Sequence, residues 1–209
     1  AGKEGPAHLL YDRELIVHKL ARWENFISNY SLPAWDAIPD FGLYMEQVVT
    51  FLSDSLSFVP VPEEPKDSLI TAAAINNYVR LKLMPAPVKK RYYRIHIAYL
   101  IMIFTLKQSL SIQDVQRAVP MNMSEDEMRA FYQYYVDMFH SVALLFVDQA
   151  REATRSVLAP ESNDDSAIPN MVMLGALVSG FSRILVEKIL RLQGADTQAV
   201  LEKENRGKK

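Results

Sequence analysis

Apolar residues recur along this chain at spacings of three and four, and no stretch sustains the period-two alternation of a half-buried strand, so the pattern predicts an all-α fold. From Leu9 to Ile27, the positions Leu9, Arg13, Ile16, Leu20, Trp23 and Ile27 keep that rhythm with Arg13 as the one polar interruption. One amphipathic helix with one buried stripe is expected. Ser31, Pro33, Asp36 and Pro39 end it, and Asp40 is placed to cap a second helix through Tyr44, Val48, Phe51 and Leu52. The proline-rich VPVPEEP at 59–65 closes that second helix.

A short helix follows. Thr71 stands at its N-cap, with Ile70 before it and Ile75 four positions inside, the spacing of a hydrophobic staple. It runs to about Leu83 and stops at Pro85 and Pro87. The basic VKKRYYR comes next, then a strongly apolar helix from about Ile95 to Lys107, then a short helix opened by Ser111 and Asp114 in the order S-x-x-D and closed by Pro120.

Beyond Pro120, S-E-D-E at 124–127 forms a capping box that leads a helix of about 35 residues. Its positions Phe131, Tyr135, Met138, Val142 and Leu145 trace the seam of a bundle or coiled coil. After the polar PESNDDS loop, Met171, Leu174, Val178, Phe181, Leu185 and Leu192 repeat the same rhythm. Two such helices predict an antiparallel hairpin that pairs two protomers. Its Met and aromatic content leaves two readings open: an aromatic core or dimer seam, or a pocket for a small apolar effector. The apolar runs Ile95–Leu106 and Met171–Leu185 are both shorter than a membrane span and are expected to be buried core helices, with no membrane partner. The divisions are then an N-terminal helix (1–34), a central domain (35–120), a C-terminal hairpin (121–193) and a mobile tail (194–209).

Composition narrows the function. With no cysteine, thiolate chemistry and disulfides are excluded, which together with the lack of a leader sequence points to a cytoplasmic protein. The four histidines stand apart without metal-ligand spacing, and no G-x-S-x-G, H-E-x-x-H or glycine-rich phosphate loop occurs, so neither catalysis nor a cofactor is expected. Charge is the informative property. The chain carries −2, but residues 1–67 hold 5 basic and 11 acidic residues, 114–209 hold 11 and 14, and 68–113 hold 7 basic residues and no acid. A one-signed field of that kind suits an anionic partner, and nucleic acid is the most densely charged.

The order capped helix, proline stop, basic turn and aromatics is that of a winged helix-turn-helix, whose short helix enters the major groove while the wing touches the backbone beside it. The outward residues of the short helix would be Ala72, Ala73, Asn76, Asn77 and Arg80, with the capping Thr71 also expected to contact DNA: Asn suits adenine, Arg suits guanine or phosphate, and alanine permits close approach. Lys82, Lys89, Lys90, Arg91, Tyr92, Arg94 and His96 complete the expected DNA contacts, chiefly to phosphate, with one of Tyr92 and Tyr93 packed beneath the wing.

The string ITAAAINNYVRLKLMPAPVKKRYYRIHIAYLIMIFTLKQSLSIQDVQRAV resembles the DNA-binding domain of MerR-type regulators, in which a capped helix ends in a leucine-leucine-proline stop and a wing carries Arg-Tyr. It departs from them in placing Lys82 where they carry glycine, and in a wing without glycine that would be a tighter turn. From about Trp35 to Val119, through IPDFGLYMEQVV, INNYV, KKRYYR-x-H and LKQSLSI, the chain is similar to a bacterial family described as a domain of unknown function (1836). The MerR resemblance implies a transcriptional regulator that binds duplex DNA as a dimer. The competing expectation is a protein-interaction module that keeps a helix-turn-helix-like fold and docks an acidic partner. Burial of Asn76, Asn77 and Arg80 would exclude the first.

Overall fold

The computed structural model describes residues 11–59, 68–158 and 167–197. Among them are seven α-helices and no strand, an all-α fold. Helix α1 spans Arg13–Asn29, and the Asp12 side chain caps it by accepting the Leu15 N–H at 3.0 Å. Leu9 lies outside the described residues. A single 3-10 turn, Trp35–Ala37, leads to α2, Met45–Ser55.

Asp40 does not cap α2. The N-cap position is Tyr44, and it is the Gln47 side chain, three residues on, that reaches back to accept the Tyr44 N–H at 2.9 Å. Residues 41–44 are instead drawn into extended pairing, because Leu43 and Tyr92 exchange backbone hydrogen bonds of 2.8 and 2.9 Å. The connector 60–67 lies outside the described residues.

Helix α3, Ala72–Arg80, starts as its sequence requires: Thr71 Oγ1 accepts the Ala74 N–H at 3.1 Å. Helix α4, Arg94–Leu106, is the centre of the molecule, with every residue from His96 to Thr105 buried. A helix apolar on all sides satisfies its surroundings only when other elements enclose it. The partners are α2, α3, the short α5 (Ile112–Ala118) and the first half of α6 (Glu125–Leu158), whose Met128, Tyr132, Tyr135 and Val136 share the core with Val48, Leu52, Ile75, Leu83 and Val115. Ser111 caps α5 at 3.1 Å, and Ser124 and Glu127 cap α6 reciprocally at 2.8 and 3.3 Å. Both signatures were plain in the sequence.

Buried polar groups find partners along α4. Thr105 Oγ1 bonds the Tyr135 hydroxyl, Tyr99 OH donates to the Pro120 carbonyl at 3.0 Å and Tyr132 OH to that of Pro33 at 2.8 Å. Burial pushes all three tyrosine pKa values up. Helix α1 lies on α6, where Trp23 meets Phe146 edge-on at 5.8 Å and Arg151 pairs with Glu24.

The last helix, α7 (Ala167–Arg191), departs from the expectation. The run Met171–Leu185 is not core: Val172, Met173, Leu174, Leu177, Val178, Phe181, Ile184 and Leu185 are 46–69 % exposed. Periodicity identifies an apolar face but not the direction it faces. By length and composition alone α7 is also long and apolar enough to cross a membrane.

Candidate nucleic-acid interface

Two elements carry the acid-free charge, the exposed side of α3 and the turn at 88–91. On α3, Ile75 and Tyr78 point into the core, which sends Ala72, Ala73, Asn76 and Arg80 to solvent. Asn77 is half-buried and accepts from Arg80 Nη2 at 2.7 Å, which fixes the guanidinium along the helix. Asn76 and Arg80 are exposed and Asn77 is half-buried, so the burial of all three that would have excluded DNA is not what the described residues show.

The helix ends in a Schellman motif: the Leu83 N–H bonds the Tyr78 carbonyl and the Lys82 N–H bonds that of Val79, both at 3.0 Å. The residue at the left-handed position is Lys82, with φ of 55°. Glycine is the ordinary occupant there because a Cβ crowds the following carbonyl. The backbone therefore takes a glycine conformation with a lysine in place.

The turn shows the same preference. Val88 and Arg91 exchange two 3.0 Å backbone bonds around Lys89 (φ 50°) and Lys90 (φ 63°). A two-residue connection with both central residues at positive φ is a type I′ turn, ordinarily Asn-Gly. Here it is Lys-Lys, both exposed and without an acidic partner among the described residues. Three of the four non-glycine residues described at positive φ are thus lysines of the acid-free segment.

Beneath the turn the expected contacts separate. Arg91 donates to the Gly42 carbonyl at 3.2 Å and to the Tyr44 hydroxyl at 2.7 Å, and its guanidinium lies 4.3 Å from that ring's centre. Arg94 is mostly covered, donating to the Ile38 carbonyl at 2.9 Å, facing Trp35 and lying 3.8 Å from Asp36. Tyr92 and His96 were expected to touch DNA, but they are interior, at 3 % and 4 % exposure. Tyr92 packs under the turn because Leu43 pairs with it, which leaves Tyr93 as the exposed member of the pair. His96 stands at the third position of α4. Its Nδ1 accepts the Tyr93 N–H at 3.0 Å and its Nε2–H donates to the Ala86 carbonyl at 3.1 Å, so the ring is neutral. Desolvation by burial lowers its pKa, against the pull of the bond to the Ala86 carbonyl.

Sequence reasoning missed Gly42 and Tyr44. A Cβ on Gly42 would lie 2.9 Å from Arg91 Cβ and Cδ and 3.1 Å from Tyr93 Cζ, so this glycine is what lets the two extended segments approach. The available signal was a glycine inside IPDFGLY in a chain that has only 7.

Seven residues join α3 to the turn, pinned by buried Leu83 and Met84 and by the His96–Ala86 bond. At the reach of an extended chain they cannot separate the two by more than roughly 25 Å. No group of His, Asp and Glu capable of holding a metal occurs among the described residues. The Met and aromatic side chains considered as pocket walls do not converge: Tyr132 and Tyr135 are core, while Tyr134, Met138, Met173 and Phe181 are exposed.

Fold and charge together define an all-α protein with a short capped helix and a lysine-tipped turn. The chain belongs to the family described as domain of unknown function (DUF1836), whose model matches residues 33–137. That span holds α2 through α5, the 3-10 turn and the first part of α6, and so the whole basic site. No curated protein and no solved structure matches the chain.

Proposed function

We propose that this protein is a DNA-binding transcriptional regulator of the winged helix-turn-helix, MerR-like type, with α3 as its recognition helix and the 88–91 turn as a short wing. The observation that carries the reading is the turn. Each lysine there occupies a backbone conformation costing about 1–2 kcal/mol for an L-residue with a Cβ, and among the described residues neither has a hydrogen bond or ion pair that offsets the cost. What the two lysines bring to the turn is exposed positive charge, the property a phosphate backbone would engage.

The chemistry divides between the two elements. Asn76 can bond an adenine edge bidentately and Arg80 a guanine or a phosphate, while Ala72 and Ala73 leave room for the groove wall. Lys82, Lys89 and Lys90 supply phosphate contacts that set register without reading sequence. Fluorescence anisotropy with genomic duplex fragments at two salt concentrations tests the reading. Saturable binding that weakens steeply with salt is expected, and no binding at 50 mM salt would refute it. An acidic protein surface would answer the same lysines, but not the preference for one duplex sequence over another that α3 is expected to confer.

A further inference from the structure

Helix α7 packs on the fold through Ile168, Val186 and Leu190 but leaves most of its apolar residues exposed. The side that packs on α5 and α6 includes half-buried Val186 and Glu187, and Arg183 and Glu187 pair at 3.4 Å. The side facing away from the fold carries Leu174, Val178, Phe181, Leu185 and Leu192, exposed by 53, 53, 69, 59 and 58 %. Half-buried Met171 opens that line, and the residues alternate at three and four positions through two seven-residue repeats to Leu185; exposed Lys188 holds the next place, and Leu192, just past the end of the helix, stands one repeat beyond Leu185. Met173, Leu177, Ile184 and Ile189 broaden it, each at least 46 % exposed.

We infer that this outward face of α7 is the interface with a second copy of this chain. Three observations select that occupant. The first is the period. A bilayer asks only for uniform apolarity over about 20 residues, whereas a seven-residue repeat keeps one seam facing one partner helix. The second is what flanks the seam. Arg183 and Glu187 sit on the opposite side of α7, and the neighbouring α6 carries its own exposed apolar line, Tyr134, Met138, Val142 and Leu145, interrupted by Asp137 and Asp148. A folded hairpin of this kind cannot enter hydrocarbon without taking those charges along. The third is extent. Roughly ten large apolar side chains half-exposed on α7 present on the order of 1,000 Å², beyond the few hundred of a usual monomer's largest patch and enough for the ~800 Å² per partner of a standard interface.

A dimer so formed would set two α3 helices on one duplex about one turn (~34 Å) apart, but its existence does not depend on the DNA reading. The test therefore omits DNA. Light scattering on the full chain at tens of micromolar is expected to give twice the 23.8 kDa of one chain. The double variant Phe181→Glu, Leu185→Glu alters only exposed groups, so it is expected to keep its helical circular dichroism while its dimer dissociation constant rises at least 100-fold.

Because the chain has no cysteine, single substitutions at Leu174, Val178, Phe181 and Leu185 supply a second measurement. Oxidation is expected to link two chains at the seam position nearest the two-fold axis, and not at Arg183→Cys on the opposite side. A monomeric wild-type chain, a double variant that dimerises as before, or wild-type protein that floats with phosphatidylcholine–phosphatidylglycerol vesicles would each overturn the assignment. The last result would place α7 in a bilayer.

Discussion

Replacing Lys89 with Asn and Lys90 with Gly separates the two consequences of the turn. The native φ values of 50° and 63° are those Asn-Gly adopts most readily, so the double variant should relieve the strain of both lysines. Relief of about 1–2 kcal/mol per residue, less the extra chain entropy that glycine loses on folding, leaves a net stabilisation of about 1–2 kcal/mol. For a chain of this size that raises Tm by about 3–6 °C in a thermal melt.

Affinity for DNA should move the other way. If each lysine neutralises one phosphate, the slope of log K against log salt becomes less steep by about 1.8, and the loss is roughly 60-fold at 0.1 M salt and 20-fold at 0.2 M. Arg91 must stay in place, because its bonds to Gly42 and Tyr44 hold the base of the turn and its removal would confound folding with charge. A variant that melts higher but binds with unchanged affinity and salt slope would show that the turn does not touch DNA. One that melts lower would show that the backbone reading of the turn is wrong.

Lys82→Gly should stabilise by about 1 kcal/mol through relief of the same conformation at the end of α3, read as a higher denaturant midpoint at unchanged m. Gly42→Ala forces a methyl to 2.9 Å from Arg91 Cβ, so a loss of about 1–3 kcal/mol is expected, with the Arg91–Tyr44 contact broken in a crystal structure of the variant. Asn76→Ala should flatten discrimination at one base position by about 1–3 kcal/mol while leaving the salt slope unchanged, measured by competition among duplexes with single substitutions. His96 has a folded pKa below its ordinary 6.5, so the unfolded chain takes up its proton first as pH falls. Stability is fully present above pH 6.5 and declines below it, by at most ~1.4 kcal/mol per pH unit, until the folded ring itself protonates. His96→Gln can still accept the Tyr93 N–H and should lose this component in urea titrations between pH 7 and 5.

Local signals were legible where the sequence specifies its own neighbourhood. Thr71, Ser111 and the Ser124–Glu127 box cap the helices they were expected to cap, because a hydroxyl at that position needs only the next three residues to form its bond. Helix α4 was likewise plain, since ten consecutive buried residues leave no polar face to mislead. What failed depended on partners distant in sequence. Asp40 has the chemistry of a cap, yet the Leu43–Tyr92 pairing across 49 positions keeps its neighbours extended. Tyr92, Arg91 and Arg94 look interchangeable with the exposed lysines in VKKRYYR, but only the fold shows that Gly42, Tyr44 and Ile38 engage them. The outward turn of α7 was beyond reach for the same reason: a stripe has a period, whereas its direction is set by what α5 and α6 present.

The site that remains is divided by residue type, and the division has a physical reason. Arg80 binds Asn77, Arg91 binds Tyr44 and Gly42, and Arg94 binds Ile38 beside Trp35, so each arginine near the site uses its planar fork on the protein itself. Lys82, Lys89 and Lys90 have no such partner among the described residues, and they stand where the backbone resists a side chain. A guanidinium gains from fixed, bidentate geometry, whereas an ammonium acts as a flexible point charge that loses little by being presented on a turn. The arginines therefore stiffen the platform and the lysines project charge from it. Lysine charge of this kind cannot discriminate bases, so any sequence preference must come from Asn76 and from whatever freedom Arg80 regains on leaving Asn77. Removing turn lysines should then weaken all duplexes alike, and removing Asn76 should reorder them.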